Sequence, residues 1–165
     1  MSLENVKLPG FIIQYMFQKS LVKILDNKSK GVNTKNIEIS YFGGNKQHIL
    51  LLVNDPDNAF IDDAQLTFLS GILNACKLTL EDIALVNIAD NSTNYKKLNE
   101  DLSPKIIIMF GVIPEEIQLP FVIPQFQKQS YNNQFYIAAS SLTDLEDNKD
   151  LKRRLWAVLQ QLFSV

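Results

Sequence analysis

The chain has 165 residues, of which 46% are hydrophobic and 21% are charged. These values indicate a folded globular domain rather than a disordered chain, and the length suits one domain with a large core. The formal net charge is −2. A domain that holds duplex DNA by its phosphates usually carries a basic surplus, so we expect direct contact with nucleic acid to be weak or absent.

The cysteine count and the hydropathy pattern exclude further classes of protein. The one cysteine, Cys76, cannot form an internal disulfide or supply a multi-cysteine zinc or iron–sulfur site. It lies on the apolar face of a predicted helix, where we expect a buried thiol, and no cofactor is predicted. We recognise no signal peptide and no apolar run long enough to cross a bilayer, so the sequence predicts a cytoplasmic protein with no membrane partner.

The N-terminal part, residues 1–35, is predicted to form a helix and a polar loop within a single domain of residues 1–165. Residues 10–25 have an amphipathic pattern that is rich in aromatic residues and methionine. This helix either covers the sheet of the core or docks on a partner, since such a face suits a groove. The partner-binding side chains of the second interpretation are Phe11, Tyr15 and Met16.

From residue 36 to the end, short apolar runs alternate with amphipathic segments, as in an α/β domain. The predicted strands are 36–41, 48–53, 83–87, 105–110, 121–126 and 135–138. The segment 121–126 is assigned to a sheet edge, because Pro124 cannot donate to a ladder. The predicted helices are 62–76, 95–102, a short turn at 114–119, and a last helix that begins with a capping box of Thr143 and Glu146 and runs to residue 163.

Strands that alternate with helices imply right-handed crossovers and a mainly parallel sheet of four to five strands in a three-layer α/β/α arrangement. The sites of such a sheet lie at the carboxyl ends of its strands. Asn54, Asp55 and Pro56 follow one predicted strand, Asn87 ends the next, and residues 138–141 end the last. We therefore expect these residues to converge at one edge of the sheet.

The last motif of the chain joins a strand, a turn of small residues and a helix that contains Trp156. Its sequence is Ala139-Ser140-Ser141-Leu142-Thr143-Asp144-Leu145. This motif resembles one in the psi-subunit family of bacterial DNA polymerase III, Ala-Ser-x-x-Leu-Thr-Asp-Leu, with one residue fewer before the first leucine. That family has the fold of the uracil-DNA glycosylase superfamily without its chemistry.

The resemblance to the glycosylase superfamily extends over residues 43–163. Residues 49–56 are similar to its first motif, residues 80–87 to the segment that supplies a base-reading asparagine, and residues 103–111 to its third core strand. The resemblance implies a glycosylase-like fold. It also implies a degenerate base pocket, formed by Val53, Asn54, Asp55, Pro56, Asn87, Ala138, Ala139, Ser140 and Leu142.

The pocket departs from the superfamily pattern at the positions that matter most for chemistry. Val53 replaces the glycine of the first motif, which hinders close approach of a ligand to the backbone. Ala138 replaces the histidine of the last motif, and Ala139 replaces its proline. An alanine methyl group cannot donate a hydrogen bond to a departing base.

The preferred hypothesis is therefore a non-catalytic DNA-replication accessory protein that bridges replication proteins such as the clamp loader. Its partner-binding residues would be Trp156 and those of the N-terminal helix. Two alternatives stay open. One is a divergent uracil-DNA glycosylase with Asp55 as the catalytic carboxylate, Asn87 as the base reader and Leu142 as the wedge. The other is a remnant of the base pocket that binds a small ligand.

Overall fold

The computed structural model describes residues 39–89 and 93–165. The predicted N-terminal helix and loop, with Phe11, Tyr15 and Met16, lie outside these residues. The described residues form five strands, four α-helices and one short 3-10 helix. In chain order these are β1 (Ile49–Val53), α1 (Asp63–Ala75), β2 (Ile83–Asn87), α2 (Tyr95–Leu102), β3 (Ile106–Phe110), the 3-10 helix (Pro114–Ile117), β4 (Gln129–Tyr131), β5 (Gln134–Ala139), α3 (Leu142–Asp147) and α4 (Lys149–Phe163).

The strands form one sheet in the order β2-β1-β3-β5-β4. The pairs β1–β2, β1–β3 and β3–β5 are parallel, whereas β4–β5 is antiparallel. Every residue of β1 and β2 is buried, which is why both strands are continuous apolar runs in the sequence. The predicted α/β class is confirmed, and the sheet is mixed rather than purely parallel.

Successive residues of β1, β2, β3 and β5 contribute to two separate hydrophobic clusters, because side chains alternate between the faces of a sheet. One cluster joins Leu51 of β1 to Leu69 of α1 and Leu155 of α4. The other joins Leu52 of β1 to Leu98 of α2. Helices α1, α3 and α4 thus pack against one face, and α2 with the loops around the 3-10 helix packs against the other.

The helix boundaries follow local capping signals. Asp62 caps α1 by accepting a hydrogen bond from the Gln65 N–H at 2.7 Å, and Asn94 caps α2 in the same way through the Lys97 N–H at 3.0 Å. The helices predicted at 62–76 and 95–102 are confirmed to within one residue. Cys76, at the end of α1, is buried as predicted, and this burial raises the pKa of its thiol.

The predicted edge strand at 121–126 is wrong. Gln125 makes one isolated bridge with Ala138, and no residue of this segment belongs to a strand. Pro120 and Pro124 lack the N–H that a ladder needs, which prevents regular pairing here.

The strand that pairs with the outer side of β5 is instead β4, which was not predicted. Asn132 and Asn133 connect the two strands and have φ angles of 52° and 62°. Positive φ at both central residues is the geometry of a type I′ hairpin turn, which asparagine tolerates. The Asn-Asn pair was therefore the sequence signal for this hairpin.

Two further boundaries differ from those predicted. Of the strand predicted at 36–41, the described residues 39–41 are irregular, and Phe42 makes an antiparallel bridge to Leu85 at the edge of β2. The helix starts two residues earlier than predicted, with Ser141 as its N-cap, because Ser141 Oγ accepts from the Asp144 N–H and donates to the Asp144 carboxylate. Asn148 then interrupts the helix and caps α4.

Tyr136 of β5 is the largest fully buried side chain of the sheet. Its hydroxyl donates to Gln134 Oε1 at 2.7 Å, and its ring meets that of Phe121 edge to face. Burial, reinforced by the phenols of Tyr131 and Tyr95, raises the pKa of Tyr136 to about 12. The phenolate form is therefore disfavoured in the folded state.

We predict that Tyr136 makes the folded protein sensitive to alkali. An unfolded phenol ionises near its ordinary pKa of about 10, below the value in the folded state. At a pH between about 10 and about 12, the phenol is ionised in the unfolded chain but protonated in the folded protein, so unfolding releases a proton. The contribution of Tyr136 to the free energy of unfolding therefore falls as the pH rises through this window. The stability advantage of the wild type over Tyr136→Phe, measured by urea unfolding, should shrink across it. A difference that stays constant between pH 8 and pH 12 would contradict the prediction.

Candidate functional site

The carboxyl ends of β1 and β3, with the starts of α1 and α3, enclose an open cleft of about 280 Å³. Its lining includes five of the predicted pocket residues, namely Val53, Asn54, Asp55, Pro56 and Leu142. Asn87, Ala138, Ala139 and Ser140 lie at the same edge of the sheet but do not line this cleft. The structure therefore brings the predicted residues to one edge of the sheet, and five of the nine line the cleft.

Asn87 holds the loop that follows β1. Its Nδ2 donates to the carbonyl oxygens of Asp55 at 2.6 Å and Asn58 at 2.8 Å, and its Oδ1 accepts from the N–H groups of Asp55 and Ala89. The residue is fully buried, with 0% of its surface exposed. An amide has two donor hydrogens and two acceptor lone pairs. Backbone groups occupy all of them, so none is available to read the edge of a base.

Asp55 is likewise engaged in its own loop. Its Oδ1 accepts from the Asp57 N–H and its Oδ2 accepts from Asn58 Nδ2, both at 3.0 Å. An aspartate that bonds the N–H two residues later forms an Asx-turn, which is a common way to close a loop before proline. The carboxylate stabilises the loop, and its half-buried position leaves one side in contact with the cleft.

The cleft is acidic. Asp55, Asp57 and Asp62 line it, and no lysine, arginine or histidine does. Like charges repel an anionic ligand, so this edge of the sheet is unfavourable for a nucleic-acid phosphate. Within residues 39–89 and 93–165, no group of three or more His, Cys, Asp or Glu side chains could hold a metal ion.

The turn after β5 packs tightly against the end of β3, and its residue Ser141 also lines the cleft. A Cβ at Gly111, where φ is +67°, would lie 3.0 Å from the Cβ of Ser141, so glycine permits the close contact of β3 with this turn. Ala138 and Ala139 are buried. Leu142 is 3% exposed and belongs to the core cluster beneath α1 and α4. The proposed role of Leu142 as a wedge that enters DNA is therefore wrong, because the side chain does not project from the surface.

A second candidate site is an apolar groove of about 340 Å³ between α1 and α4. Its lining residues are Thr67, Phe68, Gly71, Ile72, Ala75, Lys152, Leu155, Trp156 and Leu159. Trp156 is half-buried and packs against the core cluster. It therefore serves as a packing residue on one side and as part of the groove on the other.

The groove owes its depth to a missing side chain. Gly71 lies within α1, and a Cβ built on it would meet no atom within 4 Å. Beside it, the Lys152 ammonium group lies 5.4 Å from the centre of the Phe68 ring, which is a cation–π distance. Lys152 is the one charged residue of the lining.

Sequence reasoning named Trp156 as a partner-binding residue, but it did not identify this groove or include Phe68, Gly71, Ile72 and Lys152 among the site residues. The available signal was Gly71, because a glycine in the interior of a helix costs stability and usually has a packing or functional reason. The pairing of Gly71 with Trp156 depends on how α1 and α4 pack, which no local pattern reveals.

Comparison with known proteins supplies no family. No protein-family model matches the chain, and no curated protein matches it. In the described part of the chain, no helix is long and apolar enough to cross a membrane.

We predict that Asn87 is a stability residue. Asn87→Ala should lower the free energy of unfolding by roughly 3 kcal/mol or more, because several buried backbone groups of the loop lose their partner. Asn87→Asp should be comparably destabilising, since a carboxylate cannot donate to the carbonyls of Asp55 and Asn58. Chemical denaturation of both variants measures these changes.

Asn54→Ala is the matched control. Asn54 is exposed at the same loop and makes one described side-chain bond, to Glu116, so its replacement should change stability by less than about 0.5 kcal/mol. Equal effects at Asn54 and Asn87 would refute the structural role of the Asn87 carboxamide.

Proposed function

We propose that this protein is a non-catalytic, protein-binding α/β domain of DNA replication, comparable in role to the psi-subunit family of DNA polymerase III. In this proposal the sheet and its helices form a three-layer, glycosylase-like arrangement that has lost base excision. The protein bridges the clamp loader to another replication protein. The observation that carries the proposal is the open apolar groove around Trp156, whereas Asn87 at the carboxyl edge of the sheet is fully engaged in hydrogen bonds to the backbone.

The chemistry of the carboxyl edge supports a non-catalytic role. Excision of a flipped base needs a reader for its polar edge and a fixed donor for the charge that develops as it leaves. Asn87 has no free polar atom, and Ala138 contributes only a methyl group. The three aspartates that line the cleft also oppose the approach of a DNA backbone. These features weigh against the alternative of a divergent glycosylase.

The groove between α1 and α4 suits an amphipathic helix of a protein partner. Its lining is almost entirely apolar, and aromatic residues flank the shallow floor at Gly71. Helix-in-groove recognition uses such surfaces, with apolar anchors at helical spacing. Because Lys152 is the one charged residue of the lining, the partner helix should place an acidic side chain beside it.

We expect no release of uracil from single- or double-stranded DNA by the wild-type chain. A missing hydrogen-bond donor to the leaving group costs roughly 100-fold to 1000-fold in rate, and the engaged Asn87 removes base recognition as well. The measurement is a glycosylase assay on uracil-containing oligonucleotides, with Asp55→Asn as the control. Robust release of uracil by the wild type, abolished in Asp55→Asn, would refute the proposal and identify the protein as a glycosylase.

We expect Gly71→Met to block the groove without harming the fold. The new side chain enters open space, and loss of a helical glycine stabilises α1 by about 0.5–1 kcal/mol. Immobilised wild-type chain should capture clamp-loader subunits from a lysate of the native organism, identified by mass spectrometry, and Gly71→Met should not.

The control for this experiment is Asn74→Met. Asn74 is exposed on the same helix and does not line the groove, so capture should persist. Failure of the wild type to capture any clamp-loader subunit would reject the replication role. Equal capture by wild type and Gly71→Met would reject the groove as the binding surface.

A further inference from the structure

A second groove, of about 610 Å³, lies on another side of α4, against the segment 125–128. The helix contributes Arg154, Ala157, Val158 and Gln161, which recur at the three- and four-residue spacing of one helical face. The segment contributes Gln125, Phe126, Gln127 and Lys128. None of these residues lines the groove around Trp156.

The wall formed by residues 125–128 is fixed to the sheet. Gln125 bridges to Ala138, and the Phe126 N–H donates to the Ala138 carbonyl at 2.8 Å. Phe126 has a φ of 58°, in the left-handed region, and its side chain packs against the core cluster beneath α4. A non-glycine residue keeps this conformation only where the surrounding contacts enforce it. The groove is therefore a built feature of the fold.

The groove is positively charged and rich in carboxamides. Its lining holds Lys128, Arg154 and three glutamines, with no acidic residue. Neither Lys128 nor Arg154 forms an ion pair with another residue of the described ranges 39–89 and 93–165. The Lys128 ammonium group also lies 4.6 Å from the centre of the ring of Phe135, which is partly exposed and does not line the groove. Two cations that have no carboxylate partner in the described part of the chain favour an anionic ligand.

The lining favours a peptide over a nucleic-acid strand. Glutamine carboxamides both donate and accept, so they match the N–H and C=O groups of an extended peptide backbone. Single-stranded nucleic acid is held by a basic groove together with aromatic rings on which the bases stack. The one aromatic residue of this lining, Phe126, packs inward against the core.

We propose that this groove binds a short, extended, acidic segment of a protein partner, with its carboxylates on Lys128 and Arg154 and its backbone on Gln125, Gln127 and Gln161. From position 154 to position 161 a helix rises by about 10 Å, which an extended strand covers in about three residues. The motif is therefore about three or four residues long. This proposal concerns a surface separate from the Trp156 groove and does not depend on what binds there.

The test is fluorescence anisotropy with the full chain and a labelled Gly-Ser-Glu-Asp-Glu-Ser-Gly peptide at low salt. The comparison probes are the same peptide with Gln-Asn-Gln at its centre and a labelled oligothymidylate with three phosphates. We expect the acidic peptide to bind best, and its affinity to fall with added salt because exposed charge pairs are screened.

The decisive variant is the double charge reversal Lys128→Glu with Arg154→Glu, which should weaken binding about tenfold or more. Its matched control is Lys149→Glu with Arg153→Glu, which makes the same change in net charge on exposed residues of α4 that do not line the groove. The control should bind as the wild type does. An equal loss of peptide affinity in both double variants would show that the effect comes from overall charge, and it would overturn the proposal.

The remaining outcomes are equally informative. Absence of peptide binding by the wild type overturns the proposal, and tighter binding of the oligothymidylate assigns the groove to nucleic acid instead. If the reversed variant does not fold, as judged by circular dichroism, Lys128→Gln with Arg154→Gln takes its place. In the wild type, NMR titration with the acidic peptide should shift the side-chain amide signals of Gln125, Gln127 and Gln161, and unchanged signals would overturn the proposal.

Discussion

The carboxamide of Asn87 joins the carboxyl end of β2 to the loop that follows β1, and the arrangement of the whole carboxyl edge depends on this connection. With the loop held in place, Asp55 closes its turn and α1 starts from its cap at Asp62. The position at which α1 crosses the sheet is set by the same loop. Since α1 forms one wall of the groove around Trp156, a buried amide that does not line the groove contributes to its shape.

The core strands and most helices were predictable because their signals are local. Parallel strands covered on both faces have to be continuous apolar runs, so residues 49–53, 83–87 and 106–110 were recognisable. Helix starts were marked by Asp62 and Asn94. The start of α3 was missed because two local signals compete there. Ser141 with Asp144 and Thr143 with Glu146 are overlapping capping patterns, and the choice between them depends on where β5 ends, which is set by pairing with β3.

The candidate site was predictable in position but not in role. The topology brings the ends of parallel strands to one edge, so the meeting of Asp55 with Asn87 followed from the strand assignments alone. Whether an asparagine there holds a loop or faces a ligand depends on non-local hydrogen bonds, and these turned out to be made with the backbone of residues 55–59. The two grooves beside α4 were beyond sequence reasoning, because each forms between segments that are distant along the chain.

Trp156 is the single tryptophan of the chain, and it stands half-buried in the groove between α1 and α4. Light absorbed at 295 nm therefore excites an indole at one known place. Its emission maximum reports the polarity of that groove alone, without an attached dye. A molecule that displaces water from the indole should shift the emission to shorter wavelength, whereas one that binds on the other side of α4 should leave the spectrum nearly unchanged. The protein thus carries a built-in optical reporter that distinguishes its two candidate binding surfaces.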